Sequence, residues 1–469
     1  MAFDGKAISI VTVFLSWKKI MNMRDRDSIS RLAVAFLEHD PELIKLGNSA
    51  FTVIEERLRS YVLVIRCGER IKTSVSDQAA LLTAINVGKR CFKGGVYVQI
   101  SDKVKSLLPW PEYNDLNVIA QSLGALNFKD IGSTNYTELW IGASSDKNTW
   151  RLLTNNWSCG VIPPNIELVE LPGENNFPLG GIAGAALAVG TIFLKVAGFD
   201  YSIGSERYGI SLWRPNQLWF EPSAQGPTPE SFTSSLWLLG LGHLGQAYSW
   251  VIGFLPFKNP NEMLIKLQDD DRLVKGNYDS GMLSEPNLEN NYKTRVVAAW
   301  LEARGISTKI VERRYDAFYC RQEDDPEILL GGLDTIAVRK ILKSEEFKLI
   351  LDCGLGAGLN FDMIRFNAFP NIGRPPSELW KNAKEIATTP NLKTLSQKLV
   401  GCGFTVGIAS AFTGCFSACI MVSELLRSYN QGLKLSHMYL SLREISNHDC
   451  GILGHYNTEA FSGMTLFTT

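Results

Sequence analysis

LWLLGLGHLGQAYSW, residues 236–250, decides how the rest of this chain reads. A short apolar run, Leu236 to Leu239, meets Gly240-Leu-Gly242-His-Leu-Gly245, and residues with helical spacing follow. This is a GxGxxG placed between a strand and a helix. Its first glycine permits a tight turn, its second lets backbone approach a phosphate, and its third lets the helix pack on the strand. The helix start then offers unpaired N–H groups to an anion. The next strand, MLIKLQDDD (263–271), ends in Asp269, Asp270 and Asp271. A carboxylate there can hold ribose hydroxyls. Together these features predict a Rossmann-like nucleotide site for either a dinucleotide such as NAD or for ATP.

Outward from that loop the pattern alternates as a parallel sheet requires. Residues 292–304 have helical spacing, TKIVERRY (308–315) and FKLILDCG (347–354) read as strands, and 404–426 reads as a buried helix. Upstream, RPNQLWFEPSAQGPTPESFTSS (214–235) collects prolines and serines and reads as a linker. The first half shows strand-like YVLVIR (61–66), GVYVQI (95–100) and TELWIGA (137–143), with helical patterns at 29–38 and 113–126. It closes on a helix of small residues, GGIAGAALAVGTIFLKVAGF (180–199), much as the second half closes on VGIASAFTGCFSACIMVSELLRSY (406–429). The expectation is an α/β duplication: a degenerate domain over 1–213 without a glycine loop or nucleotide site, a linker over 214–235, a nucleotide-binding domain over 236–430 and a tail over 431–469.

With 469 residues, 45% hydrophobic and 20% charged, both halves can bury a core. The net charge of -1 speaks against a nucleic-acid or membrane surface over the whole molecule. Nine scattered cysteines with no CxxC suit reduced thiols rather than disulfides or a tetrathiolate zinc site. Residues 8–17 are apolar but short and lack a basic lead, so no signal peptide is expected. The three longer uncharged stretches read as buried helices of a cytoplasmic protein with no membrane partner.

Beyond Asp271 the segment continues DDDRLVKGNYDS, and Lys293 opens the next helix. At Asp269, Asp271, Asn277 and Lys293 the chain resembles the adenylating domains of ubiquitin-activating enzymes and ThiF/MoeB proteins. The resemblance implies ATP and Mg2+ as cofactors and a ubiquitin-like carrier protein as substrate. It implies Asp271 on the ribose, and Asn277 and Lys293 on the phosphates, stabilising charge as a carboxylate displaces pyrophosphate. Two positions depart from the family: its phosphate-binding arginine falls on Ser280, and its magnesium aspartate on Leu355, which leaves Asp352 as the metal candidate.

Family members that pass the acyl group on use a cysteine thiolate. Cys402, between Gly401 and Gly403 in the loop before the last buried helix, is the candidate acceptor, with Cys450 beside His448 as its competitor. The two-domain layout resembles bacterial ubiquitin-activating-like proteins, including those of anti-phage operons. That likeness implies a conjugating-enzyme-like partner and a homodimer. An NAD- or FAD-dependent oxidoreductase and a non-catalytic scaffold of the same fold remain the rival readings.

Overall fold

The computed structural model describes residues 29–47, 49–100, 103–132, 135–144, 146–370, 372–383, 408–457, 461 and 463–466. Two sheets organise them. The first contains β1 (Val62–Cys67), β2 (Gly95–Gln99), β3 (Leu126–Asn127), β4 (Thr137–Ile141), β5 (Trp150–Thr154), β6 (Ser158–Ile162) and β7 (Tyr208–Ser211), in the order β3-β2-β1-β4-β5-β6-β7. After the short β8 (Ser231–Phe232), the second contains β9 (Ser235–Leu239), β10 (Leu264–Gln268), β11 (Ser307–Val311), β12 (Ile328–Gly331), β13 (Leu349–Leu355), β14 (Met363–Phe369), β15 (Leu433–Ser441) and β16 (Asp449–His455). Its order is β11-β10-β9-β12-β13-β14-β15-β16.

The first seven positions of the two sheets repeat one another strand for strand. In each, the first five strands are parallel and the next two are antiparallel. In each, a long helix joins the sixth and seventh strands. The chain is thus a duplicated Rossmann-like α/β fold, with the glycine loop in the second copy alone.

Six helices matter for the site: α1 (Arg31–His39), α2 (Val75–Cys91), α3 (Leu179–Val196), α4 (His243–Ile252), α5 (Lys293–Glu302) and α6 (Ala411–Tyr429). With Glu424 and Arg427 of α6 as buried charges, the joining helices α3 and α6 are mostly apolar or small and buried along nearly their whole length. They pack on one another across the two halves. A Cβ on Gly190 of α3 would stand 2.8 Å from the Phe412 ring of α6, so only glycine lets the helices come this close. Around this contact one hydrophobic core runs through both sheets. Among the described residues α3 is the one helix long and apolar enough to cross a membrane, and 89% of that stretch is buried inside the protein.

Two expectations about organisation need correction. The stretch expected to be a tail supplies β15 and β16, and β17 (Met464–Thr465) pairs with β8. Its strand pattern is obscured in sequence by register shifts between Leu433 and Leu435 and between Leu435 and His437. The expected linker is not a loose tether either. Trp219 is buried on the first sheet, over Gly160 and Gly209, where added Cβ atoms would come within 2.0 and 2.4 Å of its indole.

Candidate nucleotide site

The glycine loop is built by close backbone approach. Gly240 has φ 84°, left-handed backbone that side chains resist, and a Cβ on it would lie 2.7 Å from the carbonyl oxygen of Gly332. A Cβ on Gly245 would lie 2.2 Å from the carbonyl oxygen of Gly240. Gly242 differs: nothing lies within 4 Å of where its Cβ would be, and no side chain caps the start of α4 there. Two of the motif glycines therefore hold the loop together and the middle one faces open space.

These positions should separate on substitution. Gly245→Ala forces backbone to move, with an expected loss of about 1–3 kcal/mol of stability. Gly242→Ala should cost less than about 1 kcal/mol, the size of an ordinary cap change, while weakening anion binding. Urea unfolding of both variants checks the split, and equal losses would show that Gly242 is packed as tightly as Gly245.

The acidic strand end is tied to this loop. Asp269 accepts hydrogen bonds from the Leu241 N–H (2.6 Å) and the Asp271 N–H (2.7 Å). Burial raises its carboxyl pKa, with the charge of Lys293 acting the other way. Asp271 is exposed and accepts from Lys293 Nζ at 2.7 Å, while the Lys293 N–H donates to the Asp271 carbonyl. Lys293 itself is buried at the first turn of α5. Residues 240–245, 269–271 and 293 thus meet in one place. Asn277 stands in the intervening segment, where its side-chain oxygen accepts from the Val274 N–H at 3.1 Å, and Ser280 is buried beside it.

Three further groups at this place escape sequence reasoning or received no role in it. His243, the first residue of α4, packs against Gly414 of α6. Burial pushes its imidazole down to about 4; Asp334 opposes the shift, and Lys293 and Arg31 add to it. Its Nε2 is buried with no hydrogen-bond partner among the described residues. Arg31 comes from the first half, and its charge adds to the lowering of the His243 pKa. Asp334 lies two residues beyond Gly332, the glycine packed on the loop, and is exposed.

Asp352 requires correction as the magnesium candidate. It is 1% exposed, and both carboxylate oxygens accept from Arg339 Nε, at 2.9 and 3.1 Å. It lies on β13, one strand further from the loop than β12, which pairs directly with β9. Asp334, three residues beyond the end of β12, is close enough for its charge to act on His243 of the glycine loop. The carboxylate oxygens of Asp269, Asp270 and Asp271 also lie within 4.8 Å of one another, a donor set that suits a hard cation.

Cys402 and its loop fall outside the described residues. Of the described cysteines, Cys320 is exposed, Cys67 and Cys450 are half-buried, and the rest are buried. Burial pushes the Cys353 thiol up to about 12 and also raises that of Cys450. His448 does not serve Cys450, because its ring nitrogens face the carbonyls of Ile445 and Pro215 at 2.9 and 2.7 Å.

In the first half, the corresponding helix start is filled by the chain's own polar groups. Ser74 caps α2 by accepting from the Asp77 N–H, and the Ser76 N–H donates to the Asn175 carbonyl. The Asp77 carboxylate is bound by Arg70, at 2.6 and 2.8 Å, and by the Thr154 hydroxyl.

Comparison with known proteins gives two family matches: the BilD N-terminal domain over residues 62–212 and the BilD C-terminal domain over residues 232–432. The bacterial E1-like protein BilD of Collimonas sp. (strain OK412) is 32% identical over 413 residues, covering 84% of this chain and 88% of that protein. Among solved structures, E. coli MccB with MccA-N7isoASN is 18% identical, with 47% of this chain and 64% of that chain covered and a TM-score of 0.34. This chain therefore spans less than two thirds of the MccB chain it matches. E. coli tRNA N6-threonylcarbamoyladenosine dehydratase, TcdA, is 11% identical, with 41% and 84% covered and a TM-score of 0.30.

Proposed function

The chain belongs to the BilD family of bacterial E1-like proteins, and from that premise we propose that it uses ATP to activate the C-terminal carboxylate of a ubiquitin-like carrier protein. The observation that carries this reading is the meeting of the glycine loop, the Asp269–Asp271 strand end and Lys293 around the open start of α4. The α4 N–H groups take phosphate oxygens beside Gly242, and the exposed Asp271 takes ribose hydroxyls. Lys293 and Asn277 face the phosphates. A carrier carboxylate oxygen bonds to the α-phosphorus as the bond to pyrophosphate breaks, giving the acyl-adenylate. Lys293 stabilises the charge that builds on the phosphoryl oxygens.

Magnesium suits a set of carboxylate oxygens, and Asp334 with the Asp269–Asp271 cluster would hold it in place of Asp352. Its chemistry would be to neutralise phosphate charge. In a second step the Cys402 thiolate attacks the acyl carbon and AMP leaves, forming a thioester. Exposure makes Cys320 the control for that assignment. A conjugating-enzyme-like partner, a homodimer, a cytoplasmic site of action and a role against phage complete the proposal.

The test is thermal unfolding with ATP and magnesium against NAD. At a hundredfold excess over Kd, a ligand bound by the native state alone adds about 2.7 kcal/mol. ATP should raise the melting temperature and NAD should not. The opposite ranking would move the chain to the oxidoreductase reading, and no shift with either would favour the scaffold.

A further inference from the structure

The first half has its own nucleotide place filled, yet it grips the second half at one particular segment. Residues 278–285 lie in the chain between Asp271 and Lys293, and three of their carbonyls accept from α2 of the first half. The Arg90 guanidinium, 3% exposed, donates to the carbonyls of Tyr278 (2.6 Å), Met282 (2.9 Å) and Ser284 (3.1 Å) and to the Glu285 carboxylate (3.1 Å). Asn86 donates to the Met282 carbonyl at 3.0 Å, and Lys89 pairs with Glu285 at 2.7 Å. Asp279 is held by Lys93 and Ser30.

The other side of the same segment is held from the glycine-loop helix. Gln246, 1% exposed and next to Gly245, accepts from the Leu283 N–H and the Ser284 hydroxyl, both at 3.0 Å. Its amide nitrogen donates to the carbonyl of Leu241, inside the loop, at 3.3 Å. The Leu241 N–H in turn holds Asp269. Hydrogen bonds therefore run unbroken from Arg90 through residues 282–284 and Gln246 to the loop and the acidic strand end.

We propose that Arg90 and Gln246 are positioning residues through which the degenerate half sets the geometry of the nucleotide site in the other half. A planar guanidinium suits this task because its fork can satisfy several carbonyls at fixed angles, which an ammonium cannot. Gln246 supplies both an acceptor and a donor at one buried point, so the 282–284 turn and the Leu241 turn share one register. This inference rests on the ATP reading of the site and adds a dependence on residues that touch no nucleotide.

The experiment is ATP–magnesium affinity by titration calorimetry on the full chain, with Gln246→Met, Arg90→Lys and the double variant, beside their unliganded melting temperatures. Each single change is expected to weaken ATP binding about tenfold. The double change should weaken it far less than the hundredfold product, because both act through one segment. If Arg90→Lys does not fold, Gln246→Met and Asn86→Ala carry the same comparison. Variants that melt earlier yet bind ATP with unchanged affinity would reduce the network to stability alone and overturn the proposal, as would full multiplicativity. Wild-type protein that binds no ATP would sink the nucleotide reading and this inference with it. Wild-type binding with unaffected variants would sink the inference alone.

Discussion

Alanine at Lys293 is expected to lower carrier-dependent ATP–pyrophosphate exchange by about 10²–10³-fold, the usual effect of removing one preorganised charge from a transition state. The geometry separates that loss from unfolding. Lys293 is buried, but its carboxylate partner Asp271 is 59% exposed, so water can solvate Asp271 once the ammonium is gone. An ion pair with one exposed member is worth about 1 kcal/mol or less to stability. The exchange rate should therefore collapse while the urea midpoint barely moves. A variant with wild-type exchange would remove Lys293 from the site, and one that unfolds would mean that its pairing is chiefly structural.

The opposite profile is expected deep in the core. Arg427 and Glu424 on α6 are both fully buried and pair with one another. Arg427 also donates to the Leu433 carbonyl at 3.1 Å and to the Leu212 carbonyl, which belongs to the first half. Glu424 accepts from the Leu435 N–H and from the Tyr456 hydroxyl. Arg427→Met leaves a buried carboxylate without its cation, a change that costs about 3–5 kcal/mol. The double change Arg427→Met with Glu424→Leu removes both charges and should cost less than the single one. Urea unfolding measures both. A single-variant loss below about 1 kcal/mol would show that water reaches this pair.

How much of this was legible in the sequence follows from where the signals are local. The glycine loop reads correctly because steric need fixes Gly240 and Gly245 at set spacing after an apolar strand. Duplication was visible in the two small-residue helices, since a helix packed against another helix needs small side chains in both copies. The strand β12 was missed: it has four residues, ends in Gly331 and is followed by Gly332, so it gives little apolar run to see. Without β12, the sequence leaves Asp352, one strand on, as the magnesium carboxylate and gives Asp334 no role. Arg31, Arg90 and Gln246 were illegible for a different reason. Their partners lie far away in sequence or in the other half, and no spacing rule records such a meeting.

The most direct test of the central claim is ATP–pyrophosphate exchange by the full chain in the presence of a ubiquitin-like carrier protein. It is run with the carrier's C-terminus intact and with that terminus amidated. Adenylation of a carboxylate predicts exchange with the intact carrier and none with the amide, which offers no carboxylate oxygen to attack the α-phosphorus. Exchange that persists with the amidated carrier, or that never appears although ATP binds, would contradict it.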